Sequence, residues 1–249
     1  MNYQASYNKI KPLLKKYGNS SIAYSSLQEK LDYFFYENKG VIIYKKTAHF
    51  YFENHIIVLG DPICNHITTK HIITEFLKSF KNVSFIYISS KTTKILKELN
   101  YKSLYFGPDY FIKTKTFTIS WKIPQIKKSI NWQLKENILI KEELECDKIF
   151  WEKVYKLKKK WSKKNKNITQ NHSFLNRQLN KKEVDVRFFY LEKNNEMICF
   201  IRCDPMYSKN KIVGYSNSFM MYEPTIKKNI CYGAIYQVIN RLKKEKSIN

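Results

Sequence analysis

Glycine is scarce: six residues in 249, at positions 18, 40, 60, 107, 214 and 233. No two form G-x-G and none stands in G-x-x-x-x-G-K, which excludes a dinucleotide-binding turn and a phosphate-cradling P-loop. A glycine-rich turn opening a helix, the usual seat of a coenzyme A pyrophosphate, is missing too. So is the G-x-S-x-G of nucleophile-elbow hydrolases. Cysteine is present five times, an odd number, with no C-x-x-C, and the five histidines include no H-E-x-x-H. A disulfide framework and a zinc site are therefore not expected. Long apolar runs are also lacking. The longest span about five residues, as at 56–59 and 197–201, against the roughly 20 a membrane-spanning helix needs. The opening "MNYQASYNKIKPLLKK" has no apolar core of a secretory signal, so a cytoplasmic location is expected. Arginine occurs only at 177, 187, 202 and 241.

What is present in excess is lysine. The formal charge is +24. Two explanations stay open: a polyanionic partner, nucleic acid or anionic lipid, or a coding bias that also enriches asparagine and isoleucine. Hydrophobic content of 43% and aromatic content of 16% argue for a packed core rather than disorder.

Along the chain, apolar spacing predicts an amphipathic helix over 3–16 that ends at Gly18. Residues 31–60 read as a β-meander built from "YFFY", "VIIYKK", "HFYF" and "HIIVLG". Helix 67–80, strand 83–89, a helix over 91–98 capped by Ser89 or Ser90, and strand "SLYFG" follow. After a connector near 113–121 come a basic helix with Pro124 in its first turn, strand "ILIKEE", and a long helix through "KIFWEKVYKLKKKW". Strands "VRFFYLEK" and "EMICFIRC" are joined by Asn194-Asn195 and paired with "KIVGYSNSFMMY", before a final helix. The expected architecture is α/β in two lobes with largely antiparallel sheets, 1–116 and 117–249.

Several side chains attract attention. In 199–219, an apolar run breaks at Asp204-Pro205 and resumes through Gly214-Tyr215, either a plain hairpin or a functional one. Arg177 and Arg187 stand among cations that are otherwise lysine. Arginine grips a carboxylate or phosphate with two prongs, so these residues are either anion ligands or partners of Glu183 or Asp185. His172 is either a general base or solvated. Trp132, Trp151 and Trp161 read as core. The stretch "KLKKKWSKKNKN" is a solvated helix end or a patch that tracks a nucleic-acid backbone.

Taken in order, "KKYG" (15–18), "VLGDPI" (58–63), "FGPDYFI" (106–112), the basic helix with Asn131, Trp161, "FLNRQ" (174–178), "EVDVRFFYLEK" (183–193) and "CDPMYSKNKIVGYSNSF" (203–219) resemble the phosphatidylglycerol lysyltransferase C-terminal-domain family. The resemblance implies two tandem acetyltransferase-like (GNAT-like) lobes. It implies transfer of an aminoacyl group from aminoacyl-tRNA to a hydroxyl or amine, on a phosphatidylglycerol-type lipid or a soluble acceptor. Because the donor is already an activated ester, no cofactor is implied. On the same basis, Asp204 would orient a substrate or act as base, and Tyr207 and Tyr215 would line the pocket. Arg177, Arg187 and Asn131 would bind substrate, while Lys122, Lys127, Lys128, Lys158, Lys159 and Lys160 would meet the tRNA backbone. An anionic membrane surface is a further expected contact. The chain departs from the pattern at Met221, where the family carries arginine, at Asn229, where it carries glycine, and at Lys127 and Lys128, where it carries one arginine. It stops at "KKEKSIN", so the resemblance predicts a second lobe without its last strand. A relative that binds tRNA or anions without catalysis is the alternative implied by those departures.

Overall fold

The computed structural model describes residues 3–49, 52–119, 123–164, 177, 179, 182–226 and 229–246. The chain forms two compact units: Met1–Pro108 with Ser173–Gln178 and Asp204–Ser216, and Asp109–His172 with Leu179–Cys203 and Asn217–Asn249.

The first unit opens with α1 (Tyr3–Tyr17), followed by β1 (Asp32–Tyr36), β2 (Gly40–His49), β3 (Phe52–Leu59) and β4 (Ile63–Cys64). Then come α2 (Thr69–Ser79), β5 (Val83–Ile86) and α3 (Ser90–Glu98). The sheet order is β1-β2-β3-β5, with β4 also paired to β2. All pairs are antiparallel except β3–β5, whose parallel pairing needs the helical crossover that α2 supplies. Ile42, Tyr44, Ile56, Val58, Ile72, Ile73, Phe76 and Leu96 form the core between sheet and helices. The Ser89 cap is as expected: its side chain accepts the Thr92 N–H at the start of α3. Gly60 follows β3 at φ +74°, backbone that side-chain-bearing residues rarely adopt.

The second unit contains α4 (Pro124–Lys135), β6 (Lys141–Glu143), α5 (Lys148–Lys164), β7 (Arg187–Lys193), β8 (Glu196–Ser208), β9 (Lys211–Tyr222) and α6 (Ile230–Lys246). Its sheet runs β6-β7-β8-β9, a meander whose hairpin loops, Asn194-Asn195 and Lys209-Asn210, have positive φ at both residues. That is the backbone of a type I′ turn, which asparagine tolerates. Phe150, Val154, Leu157, Phe188, Met197, Phe200 and Met221 form the core. β8 and β9 supply residues to both units.

Helices α4 and α6 meet along a polar seam. Ser129 Oγ donates to the Asn229 carbonyl at 2.9 Å and accepts the Gly233 N–H at 3.0 Å. Gln133 donates to the Ile230 carbonyl and accepts from Gln237, each at 2.8 Å. A Cβ at Gly233 would lie 2.4 Å from Gln133 Oε1. Gly233→Ala is therefore expected to push Gln133 out of its bonds and destabilise the protein by about 1–3 kcal/mol, read as a lower denaturant midpoint. Asn229, just before α6, holds φ +48°, left-handed backbone that asparagine accepts.

Three elements differ from the sequence reading. Of "HFYF", His49 ends β2 and Phe52 begins β3, while residues 50–51 lie outside the described residues. "SLYFG" forms no strand: residues 101–113 carry no regular element and pair with none of the described strands. Finally, β8 does not break at Asp204-Pro205 but continues to Ser208. A strand accepts proline where that residue's missing N–H is not part of the ladder.

Candidate functional site

The hairpin of β8 and β9 is anchored within the first unit. Tyr207, Lys209 and Asn210 donate their N–H groups to the carbonyls of Gly18, Lys16 and Lys15 at 2.9, 3.1 and 3.0 Å. These carbonyls close α1, where helix geometry leaves acceptors unsatisfied.

Beside this anchor lies a buried polar cluster. Arg177 Nη2 donates to Asp204 Oδ1 at 2.8 Å, and Nη1 donates to the Tyr24 carbonyl at 2.9 Å. The guanidinium lies 4.6 Å from the centre of the Tyr24 ring, and that ring is 6.2 Å from the ring of Tyr207. Side-chain exposure of Arg177 and Asp204 is 2% and 1%. The two residues singled out separately in the sequence thus hold each other, in surroundings where either charge alone would be costly. Tyr207 is buried and Tyr215 half-buried on β9.

Arg187 sits in the second unit. Its guanidinium grips Glu142 through Nε at 2.6 Å and Nη2 at 2.7 Å, and Glu245 through Nη1 at 2.7 Å. Arg241 adds a contact to Glu142 at 3.0 Å. The partners are therefore Glu142 and Glu245, which neither alternative from sequence had named. Arg202, passed over in the sequence, is 1% exposed and donates through Nε to Ser218 Oγ at 3.0 Å. An arginine inside the apolar strand "CFIRC" was the available signal.

Asn131, Lys127 and Lys128 are exposed on α4, as is Lys159 on α5, whereas Lys158 is half-buried. Lys160 is engaged, 2.8 Å from Glu223 and 3.4 Å from Glu196. Lys122, His172 and residues 165–167 lie outside the described residues. Trp132, Trp151 and Trp161 are half-buried. An open cleft of about 450 Å³ in the second unit is lined by Lys160, Lys193, Glu196, Ile198, Glu223 and Thr225, among others. Among the described residues no group of three His, Cys, Asp or Glu could hold a metal. All five cysteines are free, and the Cys231 thiol, in the first turn of α6, together with burial pushes the Cys199 thiol well up.

Three buried or half-buried glutamates set an acid limit. Arg187 holds the Glu245 carboxyl below its usual value, against burial. At Glu192 burial pushes upward, yet Lys141 and Lys153 together bring the carboxyl down. At Glu223 burial is outweighed by Lys160 and Thr225. Each folded-state pKa is depressed, so the stability it contributes is present above the unfolded glutamate value of about 4.3 and lost as pH falls through the lower folded value. Denaturant midpoints are expected to hold from pH 7 to about 5 and to drop below about pH 4.

With this geometry in place, comparison with known proteins gives the class. The structure has the mixed α/β, GNAT-like architecture of lysylphosphatidylglycerol synthase C-terminal domains. It superimposes on L-PGS from Bacillus licheniformis with a TM-score of 0.74 at 18% identity, covering 96% of this chain and 72% of that one. The C-terminal domain of a candidate lysylphosphatidylglycerol synthetase from Agrobacterium fabrum gives 0.76 at 11% identity, covering 98% and 76%. A conserved Bacteroides thetaiotaomicron protein of unknown function gives 0.60 at 11% identity, covering 97% and 85%. No curated protein matches in sequence. The chain belongs to the family described as phosphatidylglycerol lysyltransferase, C-terminal, whose model matches residues 11–248. Among the described residues no helix is long and apolar enough to cross a membrane.

Proposed function

We propose that this protein moves an aminoacyl group from aminoacyl-tRNA to the hydroxyl of a phosphatidylglycerol-type lipid. The observation that carries this reading is the family match over residues 11–248. The acceptor oxygen attacks the ester carbonyl and loses its proton. The tetrahedral intermediate then collapses, and the terminal ribose hydroxyl of the tRNA leaves with a proton. Because the ester is already activated, the site's task is to align two substrates, accept a proton and stabilise an oxyanion.

In this reading Asp204 acts through Arg177 as a positioning residue. Paired and buried, it fixes the strand that carries Tyr207, with Tyr215 on the facing strand lining the acceptor pocket. Arg187 braces β7 through Glu142 and Glu245 and so supports substrate binding indirectly, while Asn131 takes part in substrate binding from the exposed face of α4. Lys127, Lys128, Lys158 and Lys159, with Lys122 and Lys160, supply positive charge for the tRNA backbone. The test is incubation with a mixed pool of charged tRNA and phosphatidylglycerol vesicles, followed by mass spectrometry of the lipid fraction. An aminoacylated lipid supports the reading.

A second reading, a tRNA- or anion-binding module without catalysis, draws on one observation: Arg177, Arg187 and Asp204 are all engaged with protein partners. It predicts bound tRNA whose ester stays intact.

A further inference from the structure

The segment that failed to form a strand carries a large apolar surface. Leu104 is 90% exposed and Phe106 85% exposed, and Tyr105, Tyr110, Phe111 and Ile112 are exposed as well. Tyr87, itself exposed, meets Phe106 edge-on at 5.9 Å between ring centres. Scattered apolar residues on a surface need no explanation, but a contiguous run does.

We infer that this segment, residues 102–115, seats the protein on an anionic phospholipid bilayer. Leu104, Phe106 and Phe111 would enter the headgroup–acyl boundary while Lys102, Lys113 and Lys115 meet lipid phosphates. This deepens the lipid-acceptor reading above and rests on it for its purpose.

Three features favour a bilayer as the occupant. Leucine with tyrosine and phenylalanine is the composition of interfacial anchors, whose rings are apolar at one end and, for tyrosine, wet at the other. Lys102, Lys113 and Lys115 are exposed at the two ends of the run, which is charge complementarity for an anionic surface. The backbone of 102–112 makes no backbone hydrogen bond among the described residues. Such backbone is excluded from the hydrocarbon interior but not from the hydrated interface, and Asp109 at the centre of the run likewise keeps it shallow. A second copy of the chain fits poorly. With 45 basic against 21 acidic residues, pairing copies sets like charges together.

The test uses sedimentation with phosphatidylglycerol-containing and with pure phosphatidylcholine vesicles, and needs no tRNA. Binding to the anionic vesicles is expected to be about 10-fold or more the stronger, and Leu104→Ser/Phe106→Ser/Phe111→Ser to weaken it about 10-fold with unchanged thermal midpoint. A separate Phe106→Trp variant is expected to gain emission that shifts blue on adding anionic vesicles. Wild-type binding by the triple variant, or an added tryptophan emission that does not shift, would mean adsorption by lysines alone and overturns the inference. So would concentration-dependent dimerisation abolished by the triple variant, which would assign the surface to a second copy, or capture of an acidic protein without vesicle binding. Vesicle binding with no aminoacyl transfer would sink the transferase reading alone. Transfer to a short-chain, water-dispersed acceptor without vesicle binding would sink the membrane inference alone.

Discussion

Asp204→Ala is expected to destabilise the protein by about 3–5 kcal/mol. The carboxylate is 2.8 Å from Arg177 Nη2, and both side chains are almost wholly out of water. Truncating it leaves a guanidinium desolvated against the Tyr24 ring with its counter-charge gone. A folded domain has only about 5–15 kcal/mol in hand, so the loss is a large fraction of the whole. The converse experiment separates charge from volume. Arg177→Met with Asp204→Leu removes both ions and refills the space, and is expected to recover most of the stability, since buried pairs are often replaced by apolar groups at little cost. Denaturant titration measures both. If Asp204→Ala unfolds at the wild-type midpoint yet no longer transfers the aminoacyl group, Asp204 is a reacting group rather than a positioning one.

Phe76→Ala is expected to cost about 3–5 kcal/mol and to lower the thermal midpoint by roughly 6–20 °C. Phe76 is fully buried in α2. Its ring meets Phe34 at 5.3 Å, Tyr44 at 5.4 Å, Phe80 at 4.7 Å and Phe85 at 6.5 Å. It therefore joins β1, β2 and β5 to the helix that covers them, and no single neighbour can collapse into the space it leaves. Calorimetry of the variant reads the effect. A shift of under about 2 °C, well below the span expected for a cavity of this size, would mean that the aromatic cluster repacks around the hole.

Elements defined by local chemistry were legible in the sequence. Pro124 opens α4, Ser89 caps α3, and Asn194-Asn195 turns β7 into β8, because each acts on backbone within a few residues. The order of the short motifs carried the fold class. Partnerships that depend on distant chain were not legible. Arg187 finds Glu142 and Glu245 at separations of 45 and 58 residues, and the nearby Glu183 and Asp185 drew attention only because they are close in sequence. Arg177 and Asp204 were each noticed, but nothing in a linear reading pairs two residues 27 apart. "SLYFG" has the apolar and aromatic content of a strand, but content alone supplies no partner edge. At Asp204-Pro205, proline reads as a stop, whereas the strand continues through it.

The membership of this chain in its family makes one measurement decisive. The purified protein is mixed with a pool of tRNA carrying radiolabelled amino acids and with phosphatidylglycerol vesicles, and the organic phase is counted over time. Label is expected to leave the tRNA and appear in the lipid at a rate proportional to protein concentration. Label that remains esterified to tRNA while the protein is demonstrably bound to it would contradict aminoacyl transfer to the lipid.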